Sequence, residues 1–163
     1  MFAVRTAIKT SSLRTFKSSL SIQSRSVVTL KNIKYTAEAE ASGAGRNGKV
    51  SSGNLNLNLA LPKEMGGTGQ GENPEQLFAM GYSSCLLGAI QAVARQKGKA
   101  DAVKDAKIHA KVSIGEAEGM PGFGIQVDMK VEGVEDELLQ AGHEFCPYSR
   151  ILKHGAVVNV SKA

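Results

Sequence analysis

The chain has 163 residues, 42% of them hydrophobic, with five phenylalanines, three tyrosines and no tryptophan. That length suits one domain, and without aromatics interleaved among basic residues it offers no platform for stacking nucleic-acid bases. The formal net charge of +5 is unevenly placed: Arg5, Lys9, Arg14, Lys17 and Arg25 all precede the first acidic residue, Glu38. Setting those five aside leaves 15 basic and 15 acidic residues, a neutral body with little motive to bind nucleic acid or a membrane surface.

Residues 1–26 also carry Ser11, Ser12, Ser18, Ser19, Ser21, Ser24 and Ser26. Phe2, Leu13, Phe16 and Leu20 can share much of one helical face, opposite the Arg and Lys side chains. A segment that is Arg-rich, Ser-rich, acid-free and amphipathic predicts a mitochondrial transit peptide, with a cut near Arg25–Val28 and a working body over 27–163. In the mitochondrial matrix two cysteines are usually reduced thiols, which disfavours a permanent structural disulfide but not a transient catalytic one.

The body reads as alternating strands around one long apolar helix. Ile33, Tyr35, Ala37, Ala39 and Ala41 alternate with Lys34, Thr36, Glu38 and Glu40, which predicts a half-buried strand. Residues 42–48, rich in Gly, form a turn or loop. Leu55, Leu57, Leu59 and Leu61 alternate with Asn54, Asn56 and Asn58, which predicts a second strand antiparallel to the first. A long loop follows over 62–73. Pro74–Lys97 then reads as a helix, capped by Asn73 and ended by Gly98. Its apolar residues cover nearly the whole circumference, and a helix apolar all round is buried. In a chain this short it must be wrapped by a sheet, a second helix or another subunit, so the sequence argues for an intertwined dimer. Strands at 106–114 and 123–131, a helix at 134–145, a helical turn from Pro147 and a last strand at 156–160 complete a β-β-α-β-β-α-β order. The fold class is α+β.

Four residues carry potential chemistry. Cys85 lies inside the apolar helix, in "GYSSCLLGAIQ". Cys146 precedes Pro147 at a helix start, where free N–H groups and the dipole favour a thiolate. Glu75 lies in the first turn of the Cys85 helix, and Arg46 lies in the glycine-rich loop. Taken singly, each has a bland reading: a core hydrophobe, an incidental buried thiol, a complement to the helix dipole, a solvated loop charge.

Together they carry a resemblance. "GENPEQLFAMGYSSCLLGAI" and "AGHEFCPYS", with "SGAGRNGKV" upstream, resemble the organic hydroperoxide resistance proteins, the Ohr branch of the OsmC/Ohr superfamily. The resemblance runs from about Leu30 to Val160. It implies an intertwined homodimer with antiparallel sheets wrapped around a central helix and active sites at the subunit interface. It implies a peroxidatic Cys85 and a resolving Cys146, joined in a redox-active disulfide, with Arg46 and Glu75 organising the thiolate. It also implies no bound cofactor, with dihydrolipoamide or a lipoylated protein as the electron donor. The chain departs from the family pattern at Asn47 (commonly Asp), Met80 (commonly Ala) and Leu86 (commonly Phe), and after "CPYS"; these departures bear on pocket shape and substrate range.

The chemistry so implied is physically coherent. A thiolate is the nucleophile that attacks a peroxide O–O bond, and a free Cys is only about 3% thiolate at pH 7. A guanidinium about 4 Å away contributes on the order of 4 kcal/mol at an effective dielectric of about 20, enough to offset burial. Arg stays charged and presents a fixed fork, and a buried Arg needs a partner such as Glu75. An apolar lining around Leu77, Phe78 and Met80 favours alkyl or fatty-acid hydroperoxides over hydrogen peroxide. Two other readings remain: an OsmC-type peroxidase with a different peroxide preference, and a non-enzymatic dimer that binds apolar ligands and leaves its cysteines inert. A metal site has weak support, since His143 and Cys146 make only an H-x-x-C spacing while His109 and His154 are scattered.

Overall fold

The structure, a computed structural model, describes residues 27–163, so the transit-peptide assignment to 1–26 lies outside the described residues. Three short strands come first: β1 (Glu40–Ser42), β2 (Lys49–Ser52) and β3 (Leu55–Asn58), paired antiparallel in the order β1-β2-β3. Helix α1 (Pro74–Gln96) follows, then a ten-residue hairpin of β4 (Lys107–Glu116) and β5 (Phe123–Glu132), then α2 (Asp136–Phe145) and α3 (Pro147–His154). The class is α+β, with antiparallel sheets and a central helix.

Helix α1 starts where its sequence says it should. Asn73 Oδ1 accepts the Gln76 amide at 2.9 Å, and Gln76 Oε1 accepts the Asn73 amide at 2.7 Å. This reciprocal capping box satisfies two amides that the first helical turn leaves free, and Pro74 at the first position has none to lose. At the other end Gly98 adopts φ +69°, a left-handed conformation open to glycine, and the Lys99 amide turns back to the Ala94 carbonyl at 2.8 Å.

The core forms where α1 meets α2, β4 and the short helical turn Ala100–Val103. Tyr82, Leu86, Ala89, Ile90, Val93 and Ala94 supply the α1 side, against Val103, Leu138 and Cys146. The β4–β5 hairpin packs its alternating face on this cluster through Ile108, Val127, Met129 and Val131, with Ile108 opposite Val131 and Val112 opposite Val127. Helices α1 and α2 approach so closely at Gly142 that a Cβ there would lie 2.9 Å from Ile90 Cα.

The structure corrects the strand expectations at both ends. The expected strand over 33–41 pairs only from Glu40 onward, and Ile33 and Tyr35 are exposed. The stretch 156–160 is not a strand; it contributes one isolated bridge, Val28 to Ala156. Alternation fixes which side chains share a face, but a strand also needs a neighbour to hydrogen-bond. Conversely, β2 forms within a segment with no long alternating run, because its register with β1 and β3 supplies that neighbour. The all-round burial expected of α1 includes cover by another subunit, and a single chain covers part of it. One face is buried, whereas Met80, Ser84 and Gly88 are exposed on this chain. Helix α1 is long and apolar enough by composition to cross a membrane, yet its covered face is the centre of this core.

Candidate active site

The two cysteines meet although 61 residues separate them. Cys85 sits midway along α1, half-buried, on the same face as Tyr82 and Leu86. Cys146 is fully buried and ends α2 while opening α3, its extended backbone (φ −64°, ψ 123°) making the corner between the two helices. Both are free thiols, with their sulfurs 3.6 Å apart. That is outside a covalent bond of about 2.0 Å and inside the hydrogen-bonding range of sulfur.

The start of α3 serves Cys85 rather than Cys146. Burial pushes the Cys85 thiol above its usual value; the nearby Tyr148 backbone amide pulls it down, and the neighbouring Cys146 pushes it up again. The net direction is upward, because taking a thiolate out of water outweighs one amide and two adjacent thiols resist sharing negative charge.

Arg46 and Glu75 do meet, as the sequence reading expected. Arg46 sits on the single helical turn Gly45–Asn47 between β1 and β2, and its guanidinium Nη2 donates to Glu75 Oε2 at the start of α1. The Glu75 side chain is 15% exposed and that of Arg46 is 35% exposed. The Arg46 Nε is buried and has no acceptor among the described residues. Asn47 anchors this turn: its Oδ1 accepts the Leu61 amide at 2.9 Å. An acceptor oxygen is what the position uses, and Asn supplies it without adding a charge beside Arg46.

The three residues expected to line an apolar pocket separate. Phe78 stacks on Tyr148, ring centroids 6.1 Å apart and planes within 7°, and meets Tyr82 edge-on at 6.0 Å. Leu77 is half-buried, and Met80, 55% exposed, lies about 140° around α1 from Cys85 by helical geometry. Leu86, one of the family departures, is 1% exposed and fills the core rather than a pocket. A cavity of about 430 Å³ opens beside Glu75, between the start of α1 and β4, with Gln76, Ala79, Lys111 and Val112 among its walls; neither cysteine lines it. Among the described residues no three His, Cys, Asp or Glu side chains gather as a metal site requires. His109 lies on the solvent side of β4, with Glu132 at 3.0 Å.

Three contributors escaped the sequence reading: the Tyr148 amide and ring, Tyr82 and Ser149. Tyr148 and Ser149 belong to the "CPYS" stretch, and Tyr82 is one turn before Cys85. Their spacing relative to the cysteines was the available signal; the contact between α1 and α3 was not visible in it.

Comparison with known proteins places this arrangement among relatives. A family model described as OsmC-like protein matches residues 67–161. The chain is 41% identical over 138 residues to an organic hydroperoxide resistance protein of Xanthomonas axonopodis pv. citri, covering 79% of this chain and 94% of that one. Its fold superposes on an organic hydroperoxide resistance protein from Legionella pneumophila with a TM-score of 0.68 at 34% identity, covering 78% and 96% of the two chains. It likewise matches OhrB of Bacillus subtilis with a TM-score of 0.63 at 36% identity, covering 77% and 96%.

Proposed function

Because the chain belongs to the OsmC-like family, in its organic hydroperoxide resistance branch, we propose that it is a peroxidase that reduces alkyl or fatty-acid hydroperoxides through its two cysteines. The observation that carries this reading is the 3.6 Å approach of Cys85 and Cys146 as free thiols. The Cys85 thiolate attacks the distal peroxide oxygen. The O–O bond breaks, the alkoxide leaves and takes a proton to become the alcohol, and Cys85 is left as a sulfenic acid. The Cys146 thiol then attacks that sulfur, forming the disulfide and releasing water.

Burial alone opposes the first step, so the site needs a cation to favour ionisation. Arg46 is the candidate, held by Glu75 at the start of the cysteine helix and anchored by Asn47. Its guanidinium supplies the positive charge that would favour a thiolate and a departing alkoxide oxygen. The bared face of α1 at Met80 and Gly88, together with exposed Phe123 and Ile125 on the hairpin, supports a homodimer in which a second copy covers these surfaces and completes the apolar pocket.

A dithiol returns the disulfide to two thiols by two exchange steps. Cys146 is fully buried and Cys85 half-buried, which favours a slim dithiol on a flexible arm, such as dihydrolipoamide or a lipoylated protein, over a bulky thiol protein. The basic, acid-free composition of 1–26 supports import into the mitochondrial matrix.

The test is steady-state peroxide consumption by protein lacking residues 1–26, with cumene hydroperoxide and hydrogen peroxide as substrates and dihydrolipoamide, glutathione and thioredoxin as donors at matched concentration. Cumene hydroperoxide with dihydrolipoamide should give the fastest turnover. Equal or faster turnover with thioredoxin rejects the lipoyl donor, and absence of turnover with every pair rejects the peroxidase. Diffuse cytosolic signal from a fluorescent fusion of residues 1–30 rejects the mitochondrial assignment.

A further inference from the structure

Helices α1 and α3 touch at a second point, one turn away from the sulfurs. Tyr82 Oη and Ser149 Oγ lie 2.9 Å apart in a buried hydrogen bond. Tyr82 is three residues before Cys85, on the same side of α1. Ser149 is three residues after Cys146, in the first turn of α3. Both residues are almost wholly buried, at 4% and 5% exposure. A buried hydroxyl left unpaired is costly, so each of these two is committed to the other. Apart from the sulfur pair, this is the one side-chain hydrogen bond between α1 and α3 among the described residues. The Tyr148 ring, wedged against Phe78 and Tyr82, fills the space between the two contacts.

We propose that Tyr82 and Ser149 are positioning residues for the resolving step, pinning the first turn of α3 to α1 so that Cys146 stays within reach of Cys85. The inference rests on the Cys85–Cys146 reading given above. In that step the Cys146 sulfur attacks the Cys85 sulfenic sulfur. The S–S bond forms as the S–O bond breaks, Cys146 is oxidised and Cys85 reduced, and the hydroxide leaves as water with the thiol proton. The sulfurs must close from 3.6 Å to about 2.0 Å. With the turn pinned, side-chain rotation and a small local shift accomplish this closure. With the pin removed, α3 samples more positions and the effective concentration of Cys146 at Cys85 falls. A slower resolving step leaves the sulfenic acid exposed to a second peroxide and to over-oxidation.

The deciding measurement needs no peroxide. The Cys85–Cys146 disulfide is equilibrated in glutathione redox buffers, and its reduction potential is read by mass spectrometry. Tyr82→Phe and Ser149→Ala should each lower the effective concentration of Cys146 about tenfold, a shift of about 30 mV toward a more easily reduced disulfide. Ser149→Thr keeps the hydroxyl and should stay near the wild type. Val103→Ala weakens the core away from this junction and should not move the potential, which separates positioning from general destabilisation. After one equivalent of cumene hydroperoxide, Tyr82→Phe should also show more Cys85 sulfinic acid than the wild type. Should Tyr82→Phe fail to fold, the contrast between Ser149→Ala and Ser149→Thr decides the matter. Effective concentrations within twofold of the wild type in the foldable variants overturn the proposal whatever the peroxidase activity. A wild type that forms the disulfide in these buffers but consumes no peroxide overturns the peroxidase reading and leaves this inference standing. A wild type that forms no disulfide overturns both.

Discussion

The thiol pair and the cation meant to serve it are held in different ways. Cys85 and Cys146 sit where three helices converge, surrounded by Tyr82, Leu86, Leu138 and the Tyr148 ring. Arg46 sits on a three-residue turn between strands that contribute no residue to that core, held by one ion pair and by the Asn47 contact to Leu61. A packed core resists small displacements, whereas a short turn on an exposed sheet moves cheaply. The two thiols are therefore placed by packing, and the cation proposed to act on them belongs to the more easily moved part. The upward push on Cys85 comes from its burial and from the adjacent Cys146 thiol.

The largest effect should come from the packed side of this comparison. Cys85→Ser removes the nucleophile and should abolish turnover with every peroxide, while Cys146→Ser should still react once and then over-oxidise. Mass spectrometry after one equivalent of hydroperoxide should show a Cys85–Cys146 bridge in the wild type alone. Full turnover in Cys85→Ser would break the assignment.

Arg46→Ala probes the mobile side. Relative to an unperturbed thiol, about 3% ionised at pH 7, full ionisation is worth about thirtyfold in rate, and burial that raises the pKa makes the loss in Arg46→Ala larger. The sign of the pH effect follows from the direction of the shift. A raised pKa lowers the thiolate fraction at any given pH, so alkylation of Cys85 in Arg46→Ala should keep rising with pH past about 9, the rate growing roughly tenfold per unit until the raised value is passed. If Arg46 serves the thiolate as proposed, the wild type should level off at lower pH, and Arg46→Lys, with charge but no planar fork, should fall between. Superimposable profiles for all three proteins would reduce Arg46 to a structural partner of Glu75.

Gly142→Ala tests how tight the packed side is. A methyl group there presses on the Ile90 backbone, with Cα 2.9 Å away, so one helix must shift. Overpacking of this kind costs about 1–3 kcal/mol, read as a lower denaturant midpoint. Since the Cys146 amide bonds to the Gly142 carbonyl at 2.9 Å, the Cys85–Cys146 disulfide should also form more slowly. An unchanged midpoint would mean that the two helices separate freely. The smallest effect belongs to the ion pairs joining the end of α1 to the start of α2. Lys97 and Lys99 hold the exposed Glu137 carboxyl below its usual range. Glu137→Gln should lower the unfolding midpoint slightly, and added salt should erase the difference.

The elements with strong local signals were legible in the sequence. The α1 boundaries followed from Asn73, Pro74 and Gly98, because a cap, a helix start and a left-handed stop are decided within a few residues. The hairpin was legible for a related reason. Its alternating faces are joined by a turn-forming stretch, so each strand finds its partner nearby. Where a strand's neighbour was not adjacent, the pattern misled: residues 33–39 alternate without pairing, and 156–160 gains only one bridge.

The site divides in the same way. The sequence by itself determined the chemistry available to this protein: two thiols, an arginine and a glutamate, the caps that start the helices beside them, and the family to which they belong. Only the tertiary structure decided which of those groups meet. It brought Cys146 to 3.6 Å from Cys85, set the Tyr148 backbone near the Cys85 thiol and closed the Tyr82–Ser149 bond, while directing Arg46 to Glu75. The reason is physical. Caps and turns are settled by interactions across a handful of residues, whereas contacts between residues more than sixty positions apart depend on how helix faces pack and on what surrounds each thiol once water is excluded.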